Sequence, residues 1–366
     1  MYRRIPTNDL SRDTPSVRSE VESAIARVVA SGRYVLGAEC EAFEREFAAY
    51  CGAAHCVGVG NGTDALEIAL RALGVGPESR VATVANAGAY TTTALSVLGA
   101  EPVYVDIVSE TGLIDVDELA RLVSATPLQA VVVTHLFGRM AQMEAIIRLC
   151  AAARVPVLED CAQAHGARRS SHHAGTLGAA GCFSFYPTKN LGCLGDGGAI
   201  VTNESSLAAT VRSLRQYGWS EKYRILRDGG RNSRLDEMQA AVLRARLPYL
   251  DAWNIRRREV AKRYSAGIRH PGVTTPHVGD EDDVAHLYVV RCTRRDELRQ
   301  YLTAAGIGTE VHYPLPDYRQ PAMEKRKDWP SLERTESFAA SVLTLPLFSA
   351  ITDDEVDFVI ETINGW

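Results

Sequence analysis

Two rhythms of apolar and polar positions alternate over the first two-thirds of the chain. EAFEREFAAY places Phe43, Phe47 and Tyr50 at helical spacing. GNGTDALEIALRAL sets Leu66, Ala69 or Leu70, and Leu73 along one helix face. Between such stretches, and others such as DVDELARLV and QMEAIIRLCAAA, lie short runs that are apolar almost throughout: HCVGVG, RVATVA, EPVYVD, AVVVTHLF, VPVLED, GCFSFY and GAIVTN. Strands without a polar face, alternating with helices, predict a largely parallel sheet covered on both sides. From Arg234 a long amphipathic helix is predicted (RLDEMQAAVLRARL), which Pro248 must kink or break. Beyond it the pattern is mixed: strand HLYVVR, helix RDELRQYLTAAG, strand TEVHY and a final helix DDEVDFVIETI. The reading is an α/β protein with a large domain over residues 1–250 and a smaller α/β domain over residues 251–366, without internal repeats.

Composition narrows the function. The 366 residues are 46% apolar and 23% charged, ordinary for a folded globular chain, and the net charge of −5 offers no field for nucleic acid or an anionic membrane. The start, MYRRIPTNDLSRDT, lacks the apolar core of a signal peptide, and no apolar run approaches the ~20 residues of a membrane span. The eight cysteines sit in apolar segments without CxxC spacing and read as buried hydrophobes in a reducing compartment. A cytoplasmic protein is expected, with no metal site. Of 40 basic residues only five are lysines (Lys189, Lys222, Lys262, Lys325 and Lys327). Where lysine is this rare, one in the turn YPTKN after an apolar strand invites a chemical reason, because an amine can lose its proton and a guanidinium cannot.

Four polar clusters fall at predicted strand ends, where open α/β sheets bind ligands. In GNGTDAL, Gly62, Thr63 and Asp64 open a helix; the turn is either an anion cradle or a capped helix start. It lacks the third glycine of the dinucleotide fingerprint, and no acidic residue ends a following strand about twenty positions on, which weakens a nicotinamide reading. VPVLEDCAQAHGA delivers Asp160 at a strand end, followed by Gln163 and His165; a lone histidine there is more often structural. FSFYPTKNLGCLGDGG carries Ser184 and Lys189. GRNSRLDEMQ carries Asn232 and Arg234 at a helix start, where capping alone is an equal explanation. A phosphate cradle, a strand-end carboxylate and a turn lysine together suit pyridoxal phosphate, which needs an anion site, a partner for its ring nitrogen and an amine.

Over SGRYVLGAECEAFEREFAAYCG, GNGTDALEIALRALGVGP, LEDCAQAHGA, SFYPTKNLGCLGDGGAIVTN, NSRLDEMQAAVLRARL and EVHYPLP the chain resembles, essentially end to end, the DegT/DnrJ/EryC1/StrS sugar aminotransferases. The resemblance implies the fold-type I (aspartate aminotransferase-like) architecture and a pyridoxal 5'-phosphate cofactor. It implies Lys189 as the Schiff-base lysine and Asp160 as the ring-nitrogen partner. Gln163 would lie near the phenolic oxygen, Thr63 and Ser184 on the phosphate, with backbone contacts from Gly62 and Asp64. Asn232 would reach the phosphate of a neighbouring subunit in a homodimer. His165, Tyr186, Tyr217, His312 and Tyr313 would face substrate, and Lys222, Arg231 and Arg234 are either diphosphate contacts or plain surface charges. One departure stands out. The position that usually carries an aromatic ring stacked on the cofactor holds Gly88, so Tyr90 takes that role or the stacking is built differently.

The implied activity is transfer of an amino group from glutamate to a nucleotide-linked keto-sugar, at C3 of a dTDP-linked deoxyhexose or, as the rival, at C4. A sugar dehydratase would carry His where Lys189 stands, and a non-catalytic partner protein would have lost Asp160, Gln163, Ser184 and Lys189, all of which are present.

Overall fold

The apolar runs of the first two hundred residues assemble into one sheet of seven strands: β1 (His55–Val59), β2 (Arg80–Thr83), β3 (Glu101–Tyr104), β4 (Ala130–Thr134), β5 (Val157–Asp160), β6 (Ala180–Ser184) and β7 (Gly198–Thr202). The computed structural model describes residues 4–12, 14–323, 329 and 331–366, which leaves Lys325 and Lys327 outside the described residues. Spatial order is β1-β7-β6-β5-β4-β2-β3. The five strands from β6 to β3 are parallel, and β7 runs antiparallel to both of its neighbours.

The helices over the same stretch are α1 (Pro15–Ser31), α2 (Ala38–Cys51), α3 (Gly62–Ala72), α4 (Tyr90–Leu98), α5 (Val116–Ala125), α6 (Met143–Ala153) and α7 (Ser205–Leu214). All but α1 cover the two faces of the sheet, as the two-sided apolar strands require. Cys182 and Phe183, adjacent on β6, enter different cores because successive side chains of a strand point to opposite faces. On one face Phe43 and Phe47 of α2 meet Phe183 and Phe185, with the Phe47 and Phe183 rings edge to face at 5.1 Å. On the other, Leu66 and Leu70 of α3 pack with Val57, Leu158 and Ile200. Each such buried side chain contributes roughly 1.5–3 kcal/mol. All eight cysteines are buried thiols.

The helix predicted from Arg234 begins at Glu237. It runs as α8 (Glu237–Arg246), passes through a tight turn at Leu247–Tyr249 and continues as α9 (Leu250–Gly267), so Pro248 sits at the break. Glu237 does more than favour its own helix dipole. Its buried carboxylate accepts from the main-chain N–H groups of Gly37 (2.7 Å), Glu39 (2.9 Å) and Cys40 (2.9 Å), satisfying the start of α2, which has no side-chain cap of its own.

The C-terminal part pairs β8 (Tyr288–Arg291) with β9 (Val342–Leu345) and adds α10 (Arg295–Ala304), α11 (Glu333–Ser341) and α12 (Asp353–Asn364). Two expectations change here. The run TEVHY is no strand: only Glu310 pairs, with Thr344, and the chain then turns His312 and Tyr313 toward the site. The strand partner of β8 is instead VLTL, whose four residues are too few for periodicity to reveal. Ile5, at the start of the chain, is buried in this second core and bridges to Ile307. Among the described residues no helix is long and apolar enough to cross a membrane.

Candidate active site

The carboxyl ends of β5 and β6, the start of α3 and the segments at 286–287 and 312–313 enclose a cavity of about 690 Å³. It is lined by Gly62, Thr63, Asp64, Tyr90, Asp160, Gln163, Ser184, Tyr186, Lys189, His286, His312 and Tyr313, among others.

Lys189 owes its position to a tight loop. Its N–H donates to Tyr186 O (2.8 Å), and Cys193 N–H returns to Phe185 O (2.8 Å). A side chain at Gly192 would run into the Pro187 carbonyl, so the loop closes only with glycine there. The amine opens onto the cavity. Burial lowers its pKa to about 8, with the charge of Asp160 pulling the other way.

Asp160 ends β5 with its carboxyl almost fully buried. Its partners are few: the Ala162 N–H at 3.1 Å and, weakly, the Thr134 hydroxyl at 3.4 Å. Desolvation outweighs them and raises its pKa. A cationic N–H presented from the cavity would relieve that cost, which is what a protonated pyridine nitrogen offers. Beside it, Glu159 is spent on structure, accepting from Gly175, Leu177 and Gly178 N–H groups and bonding His135. The trio His135, Glu159 and Cys161 is therefore a satisfied buried cluster.

At the other end of the cavity α3 abuts β6. A Cβ on Gly62 would lie 2.6 Å from Ser184 Cβ, so only glycine lets the helix start approach the Ser184 hydroxyl. Gly62, Thr63 and Ser184 thus form a small cradle at a helix N-terminus, suited to a phosphate. Asp64 departs from expectation: its N–H is already taken by Asn61 Oδ1 (2.8 Å) and its carboxylate holds Arg231 (2.8 Å). Arg231 also bonds Glu67 (2.8 Å), so its charge is paired with two carboxylates.

Gln163 lines the cavity with its amide fixed at both ends, Oε1 accepting from Phe137 N–H (2.6 Å) and Nε2 donating to the Tyr313 hydroxyl (3.0 Å). The ring of Tyr313 lies over Gly88, and Tyr90 meets Tyr313 edge to face with centroids 6.3 Å apart. The aromatic wall left open by Gly88 is therefore filled by two tyrosines from elsewhere. His312 also lines the cavity; its Nδ1 lies 2.8 Å from the Thr344 hydroxyl, and burial lowers its pKa to about 4.

Other expected residues are not brought to the cavity of a single chain. His165 is fully buried between the rings of Phe183 and Phe185 at 5.5 and 5.7 Å, both ring nitrogens closed in. Burial and Lys189 lower its pKa to about 3, so it stays neutral behind the site instead of facing substrate. Tyr217, Lys222, Asn232 and Arg234 lie before, in and after a hairpin formed by Trp219–Glu221 and Arg224–Ile225, outside the cavity lining. Tyr217 packs on Trp219 (4.9 Å), and Lys222 lies 5.1 Å over Tyr223, whose ring is 78% exposed. Asn232 is exposed and pairs with Gln216 in backbone register. Sequence reading assigned no role to His286, nor to Asn190 although it stands beside Lys189 in the YPTKN turn; His286 lines the cavity and Asn190 bonds it.

Comparison with known proteins agrees with this geometry. The model of the DegT/DnrJ/EryC1/StrS aminotransferase family matches residues 15–364. The dTDP-3-amino-3,4,6-trideoxy-alpha-D-glucose transaminase of Streptomyces venezuelae is 44% identical, over 99% of this chain and 96% of that one. The crystal structure of S. venezuelae DesV in complex with a ketimine intermediate superposes with a TM-score of 0.94 at 44% identity, covering 99% of this chain and 98% of the other. That of NtdA from Bacillus subtilis with bound cofactor PMP gives 0.91 at 28% identity, covering 98% and 84%.

Proposed function

This chain belongs to the DegT/DnrJ/EryC1/StrS aminotransferase family, and from that premise we propose that it transfers the amino group of L-glutamate to C3 of a dTDP-linked 3-keto deoxyhexose in amino-sugar biosynthesis. It is a fold-type I aminotransferase and uses pyridoxal 5'-phosphate. The observation that carries the proposal is one cavity holding a lysine amine of lowered pKa, an under-partnered buried carboxylate and a glycine-serine cradle, on a chain full-length similar to a dTDP-3-amino-sugar transaminase.

The cofactor, when bound, supplies a carbonyl that takes up the amine and a ring that accepts electrons from the substrate carbon. Lys189, partly neutral near pH 8, would hold the cofactor and could move a proton at Nζ. Asp160 would keep the ring nitrogen protonated. Thr63 and Ser184 would hold the phosphate with Gly62, while Gln163 would bond the phenolic side and Tyr313 and Tyr90 would cover the ring. Tyr186 and His312 face the sugar.

The remaining residues fit a homodimer with shared sites. Tyr217, Lys222, Asn232 and Arg234 sit by an exposed hairpin whose Tyr223, Ile225 and Leu226 are 78%, 68% and 65% exposed, a surface suited to burial against a second copy. In this reading they complete the partner's cavity, Asn232 on its phosphate. The chain works in the cytoplasm as a large unit to about residue 250 and a smaller one beyond it.

The test is turnover of purified enzyme with glutamate and either a dTDP-linked 3-keto or 4-keto deoxyhexose, followed as 2-oxoglutarate release. The proposal expects 2-oxoglutarate with the 3-keto sugar; release only with the 4-keto sugar overturns the C3 assignment.

A further inference from the structure

His286 is 5% exposed and lines the cavity two residues before β8. Its backbone is pinned. The buried Arg257 guanidinium donates to the main-chain oxygens of His286 (3.1 Å) and Leu347 (3.2 Å), and Asp283 Oδ1 accepts from Ala285 N–H at 2.9 Å. The ring places Nδ1 2.9 Å from Asn190 Oδ1. An imidazole nitrogen at that distance is donor or acceptor according to its partner, and here the partner's orientation is determined.

Asn190 Nδ2 lies 3.1 Å from Val284 O and 2.8 Å from Asn254 Oδ1, and Asn254 Nδ2 lies 2.8 Å from His165 O. Main-chain carbonyls only accept. Turning either amide over would set two oxygens against each other at about 2.8 to 3.1 Å, so both NH2 groups must face the carbonyls. The atom of Asn190 that meets His286 is then the amide oxygen, and Nδ1 carries the hydrogen. Burial, with the positive charges of Lys189 and Arg257, pushes the pKa of His286 well below the usual histidine value, so the ring is neutral and Nε2 keeps its lone pair. Nε2 has no partner among the described residues, yet unlike both ring nitrogens of His165 it is not closed off.

We propose that His286 contacts the substrate: held as the Nδ1–H tautomer by Asn190 and Asn254, it presents Nε2 as a hydrogen-bond acceptor to a hydroxyl of the sugar. The hydroxyl follows from the chemistry. A lone pair attracts an O–H donor and repels a keto oxygen, so His286 turns the sugar with its hydroxyl toward Nε2 and its carbonyl toward the amine of Lys189. Because Asn190 follows Lys189 in the chain, one turn positions both groups. Asn190 and Asn254 are positioning residues. The inference rests on the sugar-nucleotide reading above for its ligand, but not for the tautomer.

The first test is nitrogen NMR of the protein labelled with 15N-histidine, without cofactor or sugar. It distinguishes Nδ1–H, Nε2–H and imidazolium forms, the His286 signal being the one absent from His286→Gln. The proposal expects Nδ1–H in the wild type and a shifted tautomer balance in Asn190→Ala; an Nε2–H or imidazolium form in the wild type overturns it. The second test compares the holoenzyme with keto-sugar nucleotides differing by single hydroxyls. For one such pair the wild-type preference for the hydroxyl should fall by about 10-fold in KM in His286→Phe, as expected for one lost hydrogen bond. Equal losses on both members of every pair overturn the contact. Absence of turnover with every keto-sugar, alongside the Nδ1–H signal, overturns the functional reading and with it the hydroxyl, while the tautomer stands.

Discussion

A Cβ built on Gly88 would lie 2.8 Å from Cε1 of Tyr313. Residue 88 and residue 313 therefore compete for one space, and this chain has given it to the tyrosine. Tyr313 in turn bonds Gln163 through its hydroxyl and meets Tyr90 edge to face, so this wall of the cavity is assembled from three distant segments. Gly88 also has φ of 77°, in the region that favours glycine.

Gly88→Ala is accordingly expected to destabilise the protein by about 1–3 kcal/mol through backbone strain and displacement of the Tyr313 ring, and to weaken pyridoxal phosphate binding. Gly88→Ala combined with Tyr313→Ala should recover part of the stability but not the binding. Thermal unfolding and cofactor titration of the three variants check this; equal cofactor affinity in all would remove Tyr313 from the wall.

Lys189 predicts a pH dependence. Its pKa of about 8 lies below the ordinary lysine value, so the folded state favours the neutral amine. Apo-protein should capture pyridoxal phosphate faster as pH rises through about 8. Its stability should also gain between that value and the unfolded lysine value, because there the unfolded chain binds more protons. Asp160 raises the Lys189 pKa, so Asp160→Asn should move the capture profile to lower pH while reducing kcat by about 100-fold or more. An unmoved profile would separate the two residues.

Glu237→Ala is expected to cost about 2–4 kcal/mol, since three N–H groups at the start of α2 lose their acceptor. Hydrogen bonding outweighs desolvation and lowers the Glu237 pKa, so the contribution is present at neutral pH and disappears as pH falls through that lowered value. Urea unfolding at pH 7 and in acid measures both.

Asp317 behaves oppositely. It is buried and reaches from the C-terminal part to the start of α4, accepting from Ala89 N–H (3.0 Å) and the Thr92 hydroxyl (2.6 Å). Burial raises its pKa to about 7. Its stabilisation is complete below the unfolded carboxyl value and is lost as pH rises through about 7. Asp317→Asn keeps an acceptor for Ala89 and should flatten the decline in stability between pH 5 and 8; an unchanged slope would assign the decline to another group.

What the sequence revealed follows from how local each feature is. Lys189, Ser184 and Asp160 sit at strand ends in runs whose apolar residues, turn and glycines are contiguous, and the fold brings them to one cavity. The His286–Asn190–Asn254 relay joins residues 64 and 96 positions apart; Asn190 stands beside Lys189, but His286 and Asn254 look like ordinary polar residues in their own segments. Tyr313 was visible, but its strand was misread because alternation in TEVHY reflects a turn toward the site, not sheet pairing. His165 follows Asp160 closely in sequence, yet the turn after β5 directs it into the phenylalanine core.

The most direct test of the account is the visible absorption spectrum of the protein incubated with pyridoxal phosphate, before and after glutamate, for wild type and Lys189→Ala. The account predicts a yellow band in the wild type that bleaches on adding glutamate, and in Lys189→Ala a folded protein without that response. A wild-type protein that stays colourless, or a Lys189→Ala variant that responds like wild type, would contradict it.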